Sequence, residues 1–159
     1  MNQYKFFWVF FITISIVVIS MNIYKKYFKK LESYKDYLYR AVKYEMLFQG
    51  EKAISILKKA LFELKDISNY ERYAILIELG NLYYKRKFYS EANIYYKEAL
   101  KIILDEEFYY DKSLINILNS FIFADEKQNA MSLYENLIKR QSYDIKFSKI
   151  KKFSKLIYR

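Results

Sequence analysis

The 159-residue sequence has no cysteine, no histidine and no proline, and only two glycines, Gly50 and Gly80. Without Cys or His there are no disulfides, no thiol redox chemistry, no zinc or haem site of the usual kind, and no histidine general base. Two isolated glycines cannot write a phosphate-cradling loop. The scarcity of turn-formers in a chain that is 53% hydrophobic also argues against regularly spaced strands. The composition therefore predicts an all-α protein that is not an enzyme and carries no cofactor and no metal. The acids that remain as possible catalysts, notably Asp105, Glu106 and Glu107, read as a solvated run between helices and the start of the next one.

Negative charge is scarce at one end and missing from the other. Residues 1–33 carry five lysines against Glu32, a net of +4, and residues 145–159 carry six bases and no acid. Between them, 34–144 balances 17 bases against 17 acids, so the total of +10 is not a nucleic-acid footprint spread over the body.

Phe6 to Tyr24 is a 19-residue run without a charge, FFWVFFITISIVVISMNIY. At about 1.5 Å per residue it reaches roughly 28 Å, close to the ~30 Å hydrocarbon core of a bilayer. Lys5 precedes it, Lys25 and Lys26 follow it, and Trp8 and Tyr24 stand near the two interfaces. The run is longer than the apolar stretch of a cleaved leader, and no A-x-A-like site follows. It reads as an anchor over 1–24 with a polybasic flank over 25–33, in which Lys25, Lys26, Lys29 and Lys30 lie at the membrane surface. The count of bases places 25–159 on the cytoplasmic side of a cell membrane, with an extracytoplasmic domain as the alternative.

The rest of the chain repeats itself. Leu76-x2-Leu79-Gly80-x2-Tyr83 is followed by Ala92-x3-Tyr96 and Ala99. Upstream, Tyr44, Ala53 and Ala60 precede Tyr83, Ala92 and Ala99 by 39 residues each, and downstream come Leu114, Ile117, Leu118, Phe121, Ala130, Tyr134 and Leu137. This pattern resembles the tetratricopeptide repeat, with Leu76 at its Trp position, Tyr96 at its Phe position and Leu104 where its Pro stands. The resemblance implies three helix-turn-helix units at 34–67, 73–106 and 111–144, stacked as a short solenoid. Ser33-x-x-Asp36, Ser90 and Asp125-x-x-Gln128 are the expected helix starts, Asp66–Tyr70 the polar break between units, and Gly50 the turn inside the first. Ala41, Gly80, Ala53, Ala92 and Ala130 are the expected close-packing positions.

In residues 145–159, Phe147, Ile150, Phe153 and Ile157 recur at spacings of 3, 3 and 4, with Lys151, Lys152 and Lys155 opposite. A capping helix over the last repeat is the simplest use of that stripe; a lipid-surface helix and a nucleic-acid contact are the alternatives.

The resemblance also implies a concave face built by first helices. Its residues would be Ile77, Asn81, Tyr84 and Lys85 in the second unit, and Lys112, Ile115, Asn119 and Phe123 in the third. Leu38, Val42 and Glu45 stand there in the first unit, so a Lys/Asn grip on a terminal carboxylate is missing. The expected function is a membrane-anchored adaptor or scaffold that binds a membrane-associated protein partner, with no nucleic acid and no small-molecule substrate. The alternative is a structural subunit of a larger envelope machine, its repeat domain outside the cytoplasm.

Overall fold

In a computed structural model, residues 3–27 and 30–158 are described, with side chains over 6–24 and 30–158. The chain is all-helical, without strands among the described residues. It divides at Ser33 into two compact units.

The first unit holds α1, Gln3–Tyr27. Every side chain from Phe6 to Tyr24 is exposed, and this stretch, with a mean hydropathy of 2.3, is long and apolar enough to cross a membrane. Two of its hydroxyls bond within the helix: Thr13 Oγ1 donates to the Val9 carbonyl and Ser15 Oγ to the Phe11 carbonyl, the latter at 2.9 Å. That internal bonding is what a helix in hydrocarbon needs, since no water is there to take the protons. Lys25 and Lys26 fall on the last turn of α1 with side chains outside the described residues, where Lys29 also lies; Lys30 is exposed.

The second unit is built from helical pairs: α2 (Tyr34–Met46) with α3 (Gly50–Glu63), α4 (Asn69–Lys85) with α5 (Tyr89–Ile103), and α6 (Ser113–Phe123) with α7 (Lys127–Lys139). Each helix packs on the next, and α4 also packs on α2 and α6. The central helix is accordingly buried on several sides, through Ile75, Leu76, Ile77, Leu79, Gly80 and Leu82.

The three turns inside the pairs are alike. Phe48, Lys87 and Asp125 each adopt a left-handed conformation, with φ of 58°, 64° and 56°. In the first, the Phe48 N–H bonds the Glu45 carbonyl and the Gln49 N–H bonds the Tyr44 carbonyl, both at 2.8 Å. Lys87 and Phe88 bond Tyr84 and Tyr83 in the same way, and Asp125 and Glu126 bond Ile122 and Phe121. This is the Schellman closure, which satisfies the carbonyls left open at a helix end. The residue after the left-handed one (Gln49, Phe88 or Glu126) also serves as N-cap of the following helix. Each turn is thus closed in three residues, near the short end for a helix hairpin.

Several expected helix starts move for that reason. Ser90 lies inside the first turn of α5 rather than ahead of it, and Asp125 is the left-handed turn residue rather than a cap. Gly50 opens α3 with an ordinary φ, and the turn conformation falls on Phe48. The α4 helix begins at Asn69, four residues before the expected start of its unit. There Ser68 and Glu71 form a capping box like that of Ser33 and Asp36 at α2. The Asp105–Glu107 run stays in the loop, and α6 begins only at Ser113.

The expected close-packing positions are buried: Ala41, Ala53, Ala92 and Ala130 are at most 1% exposed. Gly80 has the tightest neighbour, because a Cβ built there would lie 2.3 Å from Cε1 of Tyr96. The ring of Tyr96 occupies the space that the missing side chain leaves.

The carboxy-terminal segment is not the continuous α-helix that the stripe suggests. Ile145–Phe153 winds as a 3-10 helix and only Ser154–Ile157 (α8) is α-helical. A 3-10 helix has three residues per turn, so spacings of 3 and 3 put Phe147, Ile150 and Phe153 on one line, and the final spacing of 4 fits the α turn at Ile157. All four are buried in the core shared with Leu114, Leu118, Leu133 and Leu137. The stripe therefore closes the α6–α7 pair, while Lys151, Lys152 and Lys155 remain exposed. Asp144 starts the segment by accepting from the backbone N–H groups of Tyr110 (2.9 Å) and Lys146 (3.0 Å), bonds that hold its carboxyl below the usual range.

Candidate functional site

Of the eight residues expected to meet a partner, Ile77, Asn81, Tyr84 and Lys85 lie on α4, Ile115, Asn119 and Phe123 on α6, and Lys112 just ahead of α6; none lies on α2. Ile77, Asn81 and Tyr84 follow at 4 and 3 residues, one stripe along the helix.

At the amino-terminal end of the stripe Ile77, only 9% exposed, lies in a cavity of about 530 Å³. Tyr70, Tyr73 and Ala74 of α4 form one wall; Ile103 and the loop residues Glu106, Glu107, Phe108 and Tyr109 form another, with Asp111 and Ser113 at the entry to α6. Asp111 Oδ1 accepts from the Ser113 N–H at 2.7 Å, a stand-in for the cap that Lys112 does not supply. Burial and the nearby Asp111 carboxylate push the Tyr73 phenol up to about 12.

One turn on, Asn81 is committed to the fold. Its Oδ1 accepts from the Tyr96 hydroxyl at 2.9 Å and from Asn116 Nδ2 at 3.2 Å, and its Nδ2 lies 3.4 Å from Glu78 Oε2. The Tyr96 ring that fills the place beside Gly80 carries a buried hydroxyl, which needs such a partner. Burial holds the Tyr96 phenol well above its ordinary pKa. The Asn81 carbonyl is thus a structural acceptor joining α4, α5 and α6, and is not open to a peptide as the sequence suggests. Asn119 is half-buried with its amide uncommitted among the described residues.

At the far end, Tyr84 packs on Tyr89 of α5 (5.7 Å between ring centroids), and Tyr89 packs on Phe123 of α6 (4.9 Å). Phe123 stays 56% exposed. Lys85 pairs with Glu45 of α2 and lines a second cavity, of about 470 Å³, with Phe48, Gln49, Gly50, Glu51 and Arg86. Glu51 is in turn paired with Arg86. Lys112 is exposed just ahead of α6, and Ile115 is half-buried against the core.

Of the eight expected residues only Ile77 and Lys85 line either cavity, one cavity near each end of α4. Asn81 is held in hydrogen bonds between them, Tyr84 and Phe123 join an aromatic row through Tyr89, and Lys112, Ile115 and Asn119 line neither cavity. Sequence reasoning missed Tyr70, Tyr73, Tyr89, Tyr109, Asp111 and Asn116. The first two continue the Ile77 stripe backwards by 4 and 3 residues, a signal that appears once α4 is started at Asn69. Among the described residues no group of His, Cys, Asp or Glu is placed to hold a metal ion.

No protein-family model matches this chain, and no curated protein sequence matches it. The functional reading stands on the geometry alone.

Proposed function

We propose that this chain is a membrane-anchored adaptor that uses a tetratricopeptide-like α2/α4/α6 face to hold a segment of a membrane-associated protein partner. The observation that carries the reading is the threefold recurrence of one hairpin, with left-handed residues at Phe48, Lys87 and Asp125, 39 and 38 residues apart. Stacked hairpins of this kind leave first helices side by side; here a cavity lies near each end of the central first helix, α4, and Phe123 of α6 is exposed. The Phe6–Tyr24 helix supports the anchor, and the lysines after it support a cytoplasmic body.

Site-specific photo-crosslinking in cells tests the proposal. A photoreactive residue at Phe123 is expected to capture a discrete partner, and one at the exposed Ile94 of α5 is not. Equal capture at both positions, or none at either, refutes the reading. Because the chain lacks cysteine, Lys155→Cys and Asn2→Cys report the side of the membrane. An impermeant thiol reagent on intact cells is expected to label the second and spare the first; the reverse pattern moves the body outside.

A further inference from the structure

Over much of the helical body, bases find acids: Lys85 pairs with Glu45, Arg86 with Glu51, Lys97 with Glu126 and Arg72 with Glu98. The carboxy-terminal segment is different. Lys146, Lys149, Lys151, Lys152 and Lys155 are all exposed, and none forms an ion pair among the described residues. Asp144 stands near Lys146 and Lys149, but each of its carboxylate oxygens already accepts a backbone N–H. Lys149 lies over the Tyr110 ring and Lys152 over that of Phe153, each at 5.3 Å, so their stems rest on the body while their charges stay at the surface.

The 3-10 winding arranges these charges as an α-helix would not. With three residues per turn, side chains three apart eclipse one another. Phe147, Ile150 and Phe153 take the line that faces the core, which leaves two lines turned outward. One carries Lys146, Lys149 and Lys152, about 6 Å apart at a rise of about 2 Å per residue. The other carries Ile145, which is 69% exposed, then Ser148 and Lys151. In an α-helix the same three lysines would turn through roughly 120° from first to last. A straight row meets a flat surface with all its charges at once.

We propose that this row docks the body on the anionic lipid headgroups of the bilayer that holds its anchor, with Ile145 and Leu156 reaching among them. Two observations beyond the charge name lipid as the partner. Phe6–Tyr24 is long and apolar enough to cross a membrane, which keeps a bilayer surface at hand for every copy of the chain. Exposed apolar side chains also lie among the lysines, as in segments that bind at a membrane surface. Nucleic acid calls for a wider basic footprint, whereas residues 34–144 carry no net charge. The inference rests on the anchor reading and is independent of the α2/α4/α6 face.

The test uses the full chain with Ile145→Cys as its single cysteine, labelled there with an environment-sensitive fluorophore. It is placed in nanodiscs of phosphatidylcholine, or of a mixture with about one third phosphatidylglycerol. The label is expected to shift to the blue in the anionic discs and to stay water-like in the neutral ones. Raising the salt should return it to the neutral-disc value, an arm that needs no further variant. At about fivefold per lysine, Lys146→Gln, Lys149→Gln and Lys152→Gln together are expected to lower the docked-to-free ratio about a hundredfold, with the melting temperature unchanged. The same emission in both discs, a shift that survives salt, or an unchanged ratio in the triple variant overturns the proposal. So does a single-stranded oligonucleotide that shifts the label where anionic discs do not, which hands the row to nucleic acid. A chain that leaves the neutral discs on gel filtration removes the anchor and this inference with it; a chain that stays without responding to anionic lipid removes the inference alone.

Discussion

Gly80→Ala separates two accounts of why a glycine sits in the middle of α4. If Gly80 were there by chance, alanine would stabilise the protein by about 1 kcal/mol, the difference in helix propensity. The structure demands the opposite sign. The new methyl carbon would lie 2.3 Å from Cε1, 2.4 Å from Cδ1 and 2.9 Å from Cζ of Tyr96, so the ring must retreat by roughly 1.4 Å to reach ordinary carbon contact. Tyr96 is fully buried, and its hydroxyl is tied to Asn81, which also holds Asn116. Overpacking a buried ring costs about 1–3 kcal/mol, and losing the hydroxyl's bond adds about 1 kcal/mol. After the propensity gain is subtracted, a net destabilisation of about 1–3 kcal/mol is expected. For a body of this size that lowers the melting temperature by about 3–12 °C in circular dichroism of the full chain in detergent. In the background of Tyr96→Leu, which removes the ring, the same Gly80→Ala step is expected to become neutral or stabilising. A higher melting temperature for Gly80→Ala alone, or no coupling to Tyr96→Leu, would refute the argument.

Lys87→Gly relieves a left-handed residue and is expected to stabilise by about 0.5–1 kcal/mol in chemical unfolding, the αL cost minus the entropy that glycine adds to the unfolded chain. Asp125→Gly should gain less, because aspartate tolerates that conformation better; a loss of stability in either variant contradicts the turn assignment. Phe147→Ala empties a fully buried position under α7 and is expected to cost about 3–5 kcal/mol, with Lys151→Ala as a silent companion. If the two variants melt together, the carboxy-terminal segment does not cap the core. Burial, the Glu63 carboxylate that accepts from its hydroxyl and the charge on that carboxylate push the Tyr37 phenol up to about 12, where Tyr73 also stands. Both phenols keep their protons in the folded state after they would be lost in the unfolded chain. Their contribution to stability is therefore complete below pH 10 and declines as pH rises from 10 through 12. Tyrosinate absorbance should show these two rings titrating later than exposed tyrosines, and that late step should disappear when Tyr37→Phe and Tyr73→Phe are made, leaving the still later Tyr96.

The helical class, the apolar amino-terminal segment and the register of the pairs were legible because each is a periodic property. Ala41, Ala53, Ala92 and Ala130 are small residues at buried positions and Gly80 makes room for the Tyr96 ring, and spacing alone reveals them. Caps were legible only where a side chain does the work. Ser33 and Asp36 form the box that the sequence shows, and Ser68 and Glu71 form another that the same pattern could have found. The starts of α5 and α7 were misplaced because their turns close through backbone bonds, which leave no mark in side-chain identity. The carboxy-terminal stripe was recognised but wound wrongly, since 3-3-4 spacing serves a 3-10 segment followed by one α turn as well as an α-helix. Among the candidate site residues, Asn81 shows what a single sequence conceals: a polar side chain on the right face, already spent on a hydroxyl fifteen residues away.

The double duty of Gln49, Phe88 and Glu126 has a practical consequence for anyone altering this chain. A residue that ends one helix and begins the next has no slack, so an insertion at any of the three hairpin tips breaks two helices at once. The 104–112 connection is scarcely freer, because Arg140 binds the carbonyls of Leu104 (2.6 Å) and Glu106 (2.7 Å), and Tyr143 binds that of Phe108 (3.0 Å). The short stretch around Lys65 and Asp66 is exposed, and no hydrogen bond to another helix holds it among the described residues. An epitope tag or a fluorescent domain belongs there, and length variation among natural versions of this protein should collect there too.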